Sequence, residues 1–242
     1  VTMFGSKPGI GMAAICAAGL MAMPMPATAQ MSEARMRSEI AELTTRVEQL
    51  EGARAIKNLQ RAFAYYVDRG LWEQAATLFA DDGTFEMGVD GVYVGPERIE
   101  EYLRRLHGGQ EGLIYGQLNE WVTLQPAIVV ADDALTATAR WRDLGMLGQY
   151  HEHAEWRDGI YENTYVREGG VWKIKSLHLY VNFVAPYAEG WARLDEGEGL
   201  VRSQTSVDFP PDNGPTGDYS GFPATFIPPF QAPHPVTGRA VR

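Results

Sequence analysis

Residues 159–183, GIYENTYVREGGVWKIKSLHLYVNF, decide the fold of this chain. Two runs rich in Tyr, Val, Ile and Trp flank the paired glycines Gly169 and Gly170, which is the composition of two strands and the turn of a β-hairpin. Side chains alternate between the two faces of a strand. Gly159, Tyr161, Asn163 and Tyr165 are therefore expected on one face of the first strand, and Trp172, Ile174, Ser176, His178 and Tyr180 on one face of the second. Lys173 and Lys175 fall on the other. An otherwise apolar face that carries Tyr, Asn and His has the chemistry of a concave ligand site, mostly apolar with a few convergent polar groups.

Around this hairpin, strand-like runs occupy about 113–130, 134–147, 153–167 and 171–183. Upstream the period changes. Met36, Ile40, Leu43, Val47 and Leu50 recur at three- and four-residue steps among charges, which predicts an amphipathic helix within 30–52. Gly52 is expected to interrupt it. A second helix, 53–69, buries Ile56, Leu59, Phe63, Tyr66 and Val67 and stops at Gly70. A short helix over 72–79 precedes strands at 84–87 and 92–94. Gly95-Pro96-Glu97 then opens a helix with Pro and an acid in its first turn, as helix N-termini prefer. Helices followed by a run of antiparallel strands predict an α+β domain, a curved sheet packed on a few helices.

Of the 242 residues, 45% are hydrophobic and 21% charged, which fits one globular domain with added ends. Residues 1–29 read as a secretory signal peptide: Lys7, an apolar run from Met12 to Met23, then Ala27-Thr28-Ala29. The apolar run is shorter than the ~20 residues of a membrane span, so an anchor is the lesser alternative. Cleavage after Ala29 and a periplasmic location are expected, with no membrane attachment afterwards. Cys16 lies inside that leader, which excludes a thiol nucleophile, a disulfide framework and a Cys-based metal site from the mature chain. A formal charge of −10, or −11 without Lys7, disfavours nucleic acid as a partner and points to a small uncharged one. Residues 203–242 hold eight of the 14 prolines and cannot be a central strand; with Phe222, Phe226, Ile227 and Phe230 they predict an extended arm packed on its own or a neighbouring subunit, ahead of a disordered tail, as part of an end segment at 191–242.

Taken together, several motifs resemble the nuclear transport factor 2-like, SnoaL-like superfamily. They are Tyr65-Tyr66-Val67-Asp68-Arg69-Gly70 with Trp72, Leu78-Phe79-Ala80-Asp81-Asp82, Gly95-Pro96-Glu97, and Gly159-Ile160-Tyr161-Glu162-Asn163 through Gly170-Val171-Trp172-Lys173. The resemblance implies a cone-shaped α+β barrel over 53–190: a strongly curved, mostly antiparallel sheet wrapped on N-terminal helices, with a pocket inside. Members such as scytalone dehydratase and hexachlorocyclohexane dehydrochlorinase carry out eliminations without a cofactor. They use an Asp near the end of the first cone helix to orient a His base. The Asp matches Asp68, whereas the His position falls at or next to Trp121. A further likeness, to the sphingomonad diarylpropane lyases, lies in Val181-Asn182-Phe183-Val184-Ala185-Pro186-Tyr187 and the Pro-rich tail. It implies a cofactor-free lyase that turns a lignin-derived diaryl compound into a stilbene and formaldehyde, and a homo-oligomer, a trimer ahead of a dimer.

Such chemistry needs an acid, a base and donors or cations near a phenolate. His178 is the first candidate for proton transfer, because it titrates near neutrality and shares the expected concave face; the alternative is a hydrogen-bonded core histidine. Tyr161 follows as acid or phenol-binding donor, or simply as wall, and Asp68 as an orienting carboxylate or a helix cap. Tyr65, Tyr115, Asn119, Trp121, Trp141, His151, Asn163 and Tyr180 are the expected substrate contacts, the indoles serving as stacking walls. His151-Glu152-His153 could hold a metal if both imidazoles shared a strand face, but no further ligand motif follows, and a rim loop is the preferred assignment. No metal and no cofactor is expected. Glu86 is left between cavity and solvent, and His107 and His234 are expected at the surface.

Overall fold

The computed structural model describes residues 27–195, 200, 202–217, 220–224, 226, 228 and 230–241. Most of the expected signal peptide, including Cys16, lies outside the described residues. The chain divides into two units, residues 1–42 and 43–242. Helix α1 is assigned over Ala27–Asp68, and α2 (Trp72–Ala76), β1 (Phe79–Met87), β2 (Val92–Val94) and α3 (Pro96–Leu106) follow. The long strands are β3 (Gln117–Val130), β4 (Thr136–Gln149), β5 (His153–Glu168) and β6 (Val171–Pro186). A single helical turn at Trp191–Arg193 and the short α4 (Gln204–Asp208) lie in the C-terminal arm. The sheet order is β2-β1-β6-β5-β4-β3, antiparallel throughout except for the parallel pair β1 and β6. This is an α+β cone fold, with helices on one face of a six-stranded sheet.

Gly52 does not interrupt α1. Helical φ/ψ costs Gly only about 1 kcal/mol relative to Ala, and packing offsets that: a Cβ at position 52 would lie 3.2 Å from the Trp172 ring and 3.4 Å from Val130. The missing side chain lets the indole approach the helix. Gly70 does end the helix. Its φ of +67° is left-handed, and a Cβ there would come within 2.5 Å of the Gly112 carbonyl oxygen, so no other residue fits. Aromatic side chains fill the space between helices and sheet. Phe63 of α1 meets Phe79 and Trp121 edge-on at 5.8 and 6.3 Å, and Tyr93 stacks on Tyr102 at 4.1 Å.

The hairpin forms as expected, but its second strand does not keep a simple period of two. Thr164 pairs with Ser176 and Tyr165 with Ile174, so Lys175 is an extra residue; Asp158 pairs with Phe183 and Gly159 with Val181, so Asn182 is another. Each of these β-bulges flips the alternation. Trp172 and Ile174 face the helices, and beyond the first bulge Leu177, Leu179 and Val181 take over that face. His178 and Tyr180 are thereby turned to the opposite face of the sheet, correcting the face assigned to them from the period of two. Strand β5 is regular there, and Tyr161, Asn163 and Tyr165 point inward as the alternation requires.

The described part of the arm lies on its own chain. Val92 donates its N–H to the Asn213 carbonyl at 2.9 Å, and Arg98 Nε pairs with Asp212 Oδ1 at 3.1 Å. Thr216 donates its backbone N–H and its hydroxyl to Glu86 at 2.8 and 2.6 Å. The Phe226 ring lies 5.9 Å from that of Tyr180, Arg140 donates to the Pro228 carbonyl, and the Arg140 guanidinium sits 4.0 Å over the Phe230 ring. Glu86, left open between cavity and solvent, is buried beneath this arm.

Candidate active site

A cavity of about 320 Å³ lies on the helix-covered face of the sheet. Its apolar wall includes Met87, Leu106, Leu118, Leu147, Val181 and Val184, and into it converge His107, Gln117, Asn119, His153, Glu155 and Arg157. Val181 and Val184 can both face it because the Asn182 bulge lies between them.

Arg157 dominates the electrostatics. Its side chain is 3% exposed, and the Asp143 carboxylate opposite is fully buried. Nε donates to Asp143 Oδ2 at 2.7 Å and Nη2 to Oδ1 at 3.3 Å, a two-point grip that also orients the guanidinium. The Tyr161 hydroxyl donates to the same Oδ1 at 3.1 Å. The guanidinium lies 4.0 Å over the Trp121 ring, a cation–π contact. Burial works against its charge, but Asp143 and Tyr161 beside it leave its pKa above the ordinary arginine value. Gly145 makes the placement possible, since it pairs across the ladder with Arg157 and a Cβ there would stand 3.0 Å from the arginine Cβ. Burial, reinforced by the Asp143 charge, pushes the Tyr161 phenol well above its usual range, so its proton stays in place as a fixed donor.

His107 caps α3 from inside. Its Nδ1 lies 2.8 Å from the Leu103 carbonyl oxygen, which places the proton on Nδ1 and leaves Nε2 as the acceptor. The ring stacks on Trp72 at 5.1 Å. Burial lowers its pKa to about 4, so the imidazole is neutral. Asp68 closes the end of α1, and its Oδ1 accepts the Trp121 backbone N–H at 2.6 Å. Burial pushes its carboxyl up to about 6 against that hydrogen bond. Asn119 links the two regions, donating to the Val67 carbonyl at 3.1 Å while accepting the Trp121 indole N–H at 2.9 Å.

Of the residues singled out from sequence, Asn119 lines the cavity, and Trp121, Asp68 and Tyr161 stand in the shell around Arg157. The others are placed elsewhere. Tyr65 and Tyr115 are 66% and 92% exposed, because each falls on the outer side of its segment. Trp141 is buried in the core, its indole donating to the Tyr165 hydroxyl at 3.2 Å, and Asn163 donates to Gln60 Oε1 of α1 at 3.0 Å. His151 sits in the β4–β5 turn at a φ of +65°, outside the cavity, and does not share a strand face with His153. Among the described residues no three His, Cys, Asp or Glu side chains gather as metal ligands, and no helix is long and apolar enough to cross a membrane.

His178 lies under the C-terminal arm, away from the cavity. Its Nδ1 is 3.4 Å from Glu86 Oε2, its ring stacks on Tyr180 at 3.7 Å, and burial lowers its pKa to about 4. His178→Ala is expected to keep turnover within about threefold of wild type while lowering stability by roughly 1–3 kcal/mol, as for loss of a buried, partly paired side chain. Parallel activity and melting measurements check this, and an activity loss of a hundredfold without unfolding would return His178 to the catalytic set.

Arg157, Asp143, Gln117 and Glu155 are not among the site residues expected from the sequence, His153 is expected only as a rim-loop histidine beside His151, and His107 is buried rather than at the surface. The signals were present. Arg157 has the same parity on β5 as Gly159 and Tyr161, Asp143 the same parity on β4 as Trp141, and His107 continues the helical series Ile99–Leu103.

A model of the SnoaL-like domain matches residues 48–178. No curated protein matches the sequence. Among solved structures, that of LinA is 18% identical, covering 60% of this chain and 95% of its own with a TM-score of 0.51. A type 2 hexachlorocyclohexane dehydrochlorinase (LinA) is 19% identical, covering 61% and 92% with a TM-score of 0.48. ActVI-ORFA from Streptomyces coelicolor is 16% identical, covering 53% and 96% with a TM-score of 0.46. At these identities the likeness is one of fold. With more than half of its length matched by the family model, the chain belongs to the SnoaL-like domain family.

Proposed function

We propose that this protein is a cofactor-independent carbon–carbon lyase acting on a phenolic, lignin-derived diaryl compound of the 1,2-diarylpropane-1,3-diol type. The observation that carries the proposal is the guanidinium of Arg157 held at an apolar cavity. Its Nε and Nη2 are engaged by Asp143, while Nη1 has the Met87 thioether at 4.0 Å, and both Arg157 and Met87 line the cavity. A phenolate oxygen is the kind of anion such a donor stabilises, and the low-dielectric surroundings strengthen the contact. A volume of about 320 Å³ is near the lower end of ligand sites, enough for one phenolic ring, with the rest of a two-ring substrate toward the mouth.

The reaction has two stages. In the first, the phenol loses its proton and the benzylic hydroxyl leaves as water after accepting one, which forms a quinone methide. In the second, the primary hydroxyl gives up its proton, the adjacent carbon–carbon bond breaks and formaldehyde departs. The electron pair of that bond flows into the quinone methide, restoring the phenolate and leaving a stilbene. Substrate therefore equals stilbene plus formaldehyde plus water, with no net oxidation. On the cavity wall the proton-accepting side chains are His107 and Glu155, while Asp68, with a carboxyl pushed to about 6, can hold a proton near neutral pH behind Trp121, outside the lining. Arg157 stabilises the phenolate in both stages.

The second reading is a SnoaL-like dehydratase or isomerase on another aromatic substrate, favoured by family membership. Incubating the purified protein with a 1,2-diarylpropane-1,3-diol and assaying formaldehyde together with stilbene absorbance separates the two. Equimolar formaldehyde and stilbene are expected. Water loss alone supports the second reading, and tight binding with no product of either kind means a non-catalytic binding protein.

A further inference from the structure

Met36, Ile40, Leu43, Val47 and Leu50 follow one another at steps of four, three, four and three. That is an unbroken heptad seam, with Ile40 and Val47 at a and Met36, Leu43 and Leu50 at d. Met36 and Ile40 in the first unit, and Leu43, Val47 and Leu50 in the second, are each more than half exposed. The side of the helix that touches the rest of the larger unit is a different one: Gln49 Nε2 donates to Asp132 Oδ1 at 3.2 Å. Among the described residues these apolar side chains thus stand exposed on a side of the helix other than the one that makes this contact.

We propose that residues 36–50 pair with the same residues of a second copy of this chain in a parallel, two-stranded coiled coil. Three features of the seam select that occupant. A strict a/d stripe with a period of 3.5 is complementary to itself, whereas a helix that lies on a globular core carries a wider stripe. β-Branched residues at a with Leu at d favour two strands, in place of the trimer expected from the family resemblance. In a parallel pair, position g of one helix faces position e of the next heptad on the other. Arg46 occupies g and Glu51 occupies e, so Arg46 meets Glu51 of the partner subunit, twice by symmetry. Among the described residues neither Arg46 nor Glu51 has an ion pair within its own chain.

Two heptads are too short to pair as free peptides, because helix nucleation is costly. Here the helix does not have to be nucleated, since further along the same element Ile56, Phe63 and Val67 are fully buried in the core. Less ordering entropy then opposes association.

Sedimentation equilibrium of the purified full chain is expected to give twice the chain mass. Leu43→Glu/Val47→Glu is expected to raise the dissociation constant by on the order of 100-fold or more, through loss of four buried apolar side chains per pair. Circular dichroism confirms that the variant is folded. As a second arm, Arg46→Glu alone weakens the pair by introducing like charges, and Arg46→Glu/Glu51→Arg restores it. A wild-type mass of one or three chains overturns the proposal, as does a dimer that ignores both the seam and the charge substitutions.

Discussion

Arg157→Gln is expected to lower turnover of the proposed phenolic substrate by on the order of 10²–10³-fold, the usual consequence of removing one donor from a charge-stabilising site. The same substitution costs about 3–5 kcal/mol of stability, because Asp143 is left fully buried with no countercharge and only the Tyr161 hydroxyl as a partner. The two effects can be separated. Asp143→Asn/Arg157→Gln removes both charges, so it recovers most of the lost stability while turnover stays low. Initial rates and urea titrations on the single and double variants provide the check. If turnover returns together with stability, Arg157 acts only as a scaffold and the phenolate contact is withdrawn.

His107→Asn is expected to change how stability depends on pH. Burial holds the imidazole at about 4, whereas an unfolded chain binds the same proton near 6.5. Between those values the unfolded state carries more protons, so the contribution of the neutral buried ring is fully present above 6.5 and is lost as the pH falls toward 4. The difference amounts to on the order of 3 kcal/mol. Asp68 works in the opposite sense: its folded value of about 6 exceeds the unfolded 3.8, so acidification through that range favours the folded state and partly masks the histidine in wild type. The gap between wild type and His107→Asn is therefore the informative quantity. Denaturant midpoints at pH 7, 5.5 and 4 should show that gap narrowing as the pH falls, and a constant gap would mean that His107 titrates as an exposed histidine does.

How much of the site could be read in advance depended on how far a period of two holds along each strand. On β5 it holds from Arg157 through Tyr165, so Tyr161 and Asn163 point inward as alternation requires. On β6 the extra residues Lys175 and Asn182 break it, and His178 is carried to the far face with Tyr180. A bulge leaves little mark in composition, because it is set by how neighbouring strands twist against each other rather than by the strand's own residues. Gly52 shows the same limit on a helix: a residue that looks like a breaker is there to admit Trp172.

From sequence alone came the α+β class, the hairpin, the helix stop at Gly70 and the family resemblance, because these rest on periodicity, backbone conformation and motif order, all local properties of the chain. Only the tertiary structure decided which titratable groups meet. The Arg157–Asp143 pair joins adjacent strands, His107 reaches the cavity from the end of α3, and Asp68 is pushed to about 6 by burial against a hydrogen bond from Trp121 of β3. Contact and desolvation are properties of the packed whole, and they set Arg157 at the cavity and His178 on the opposite face of the sheet.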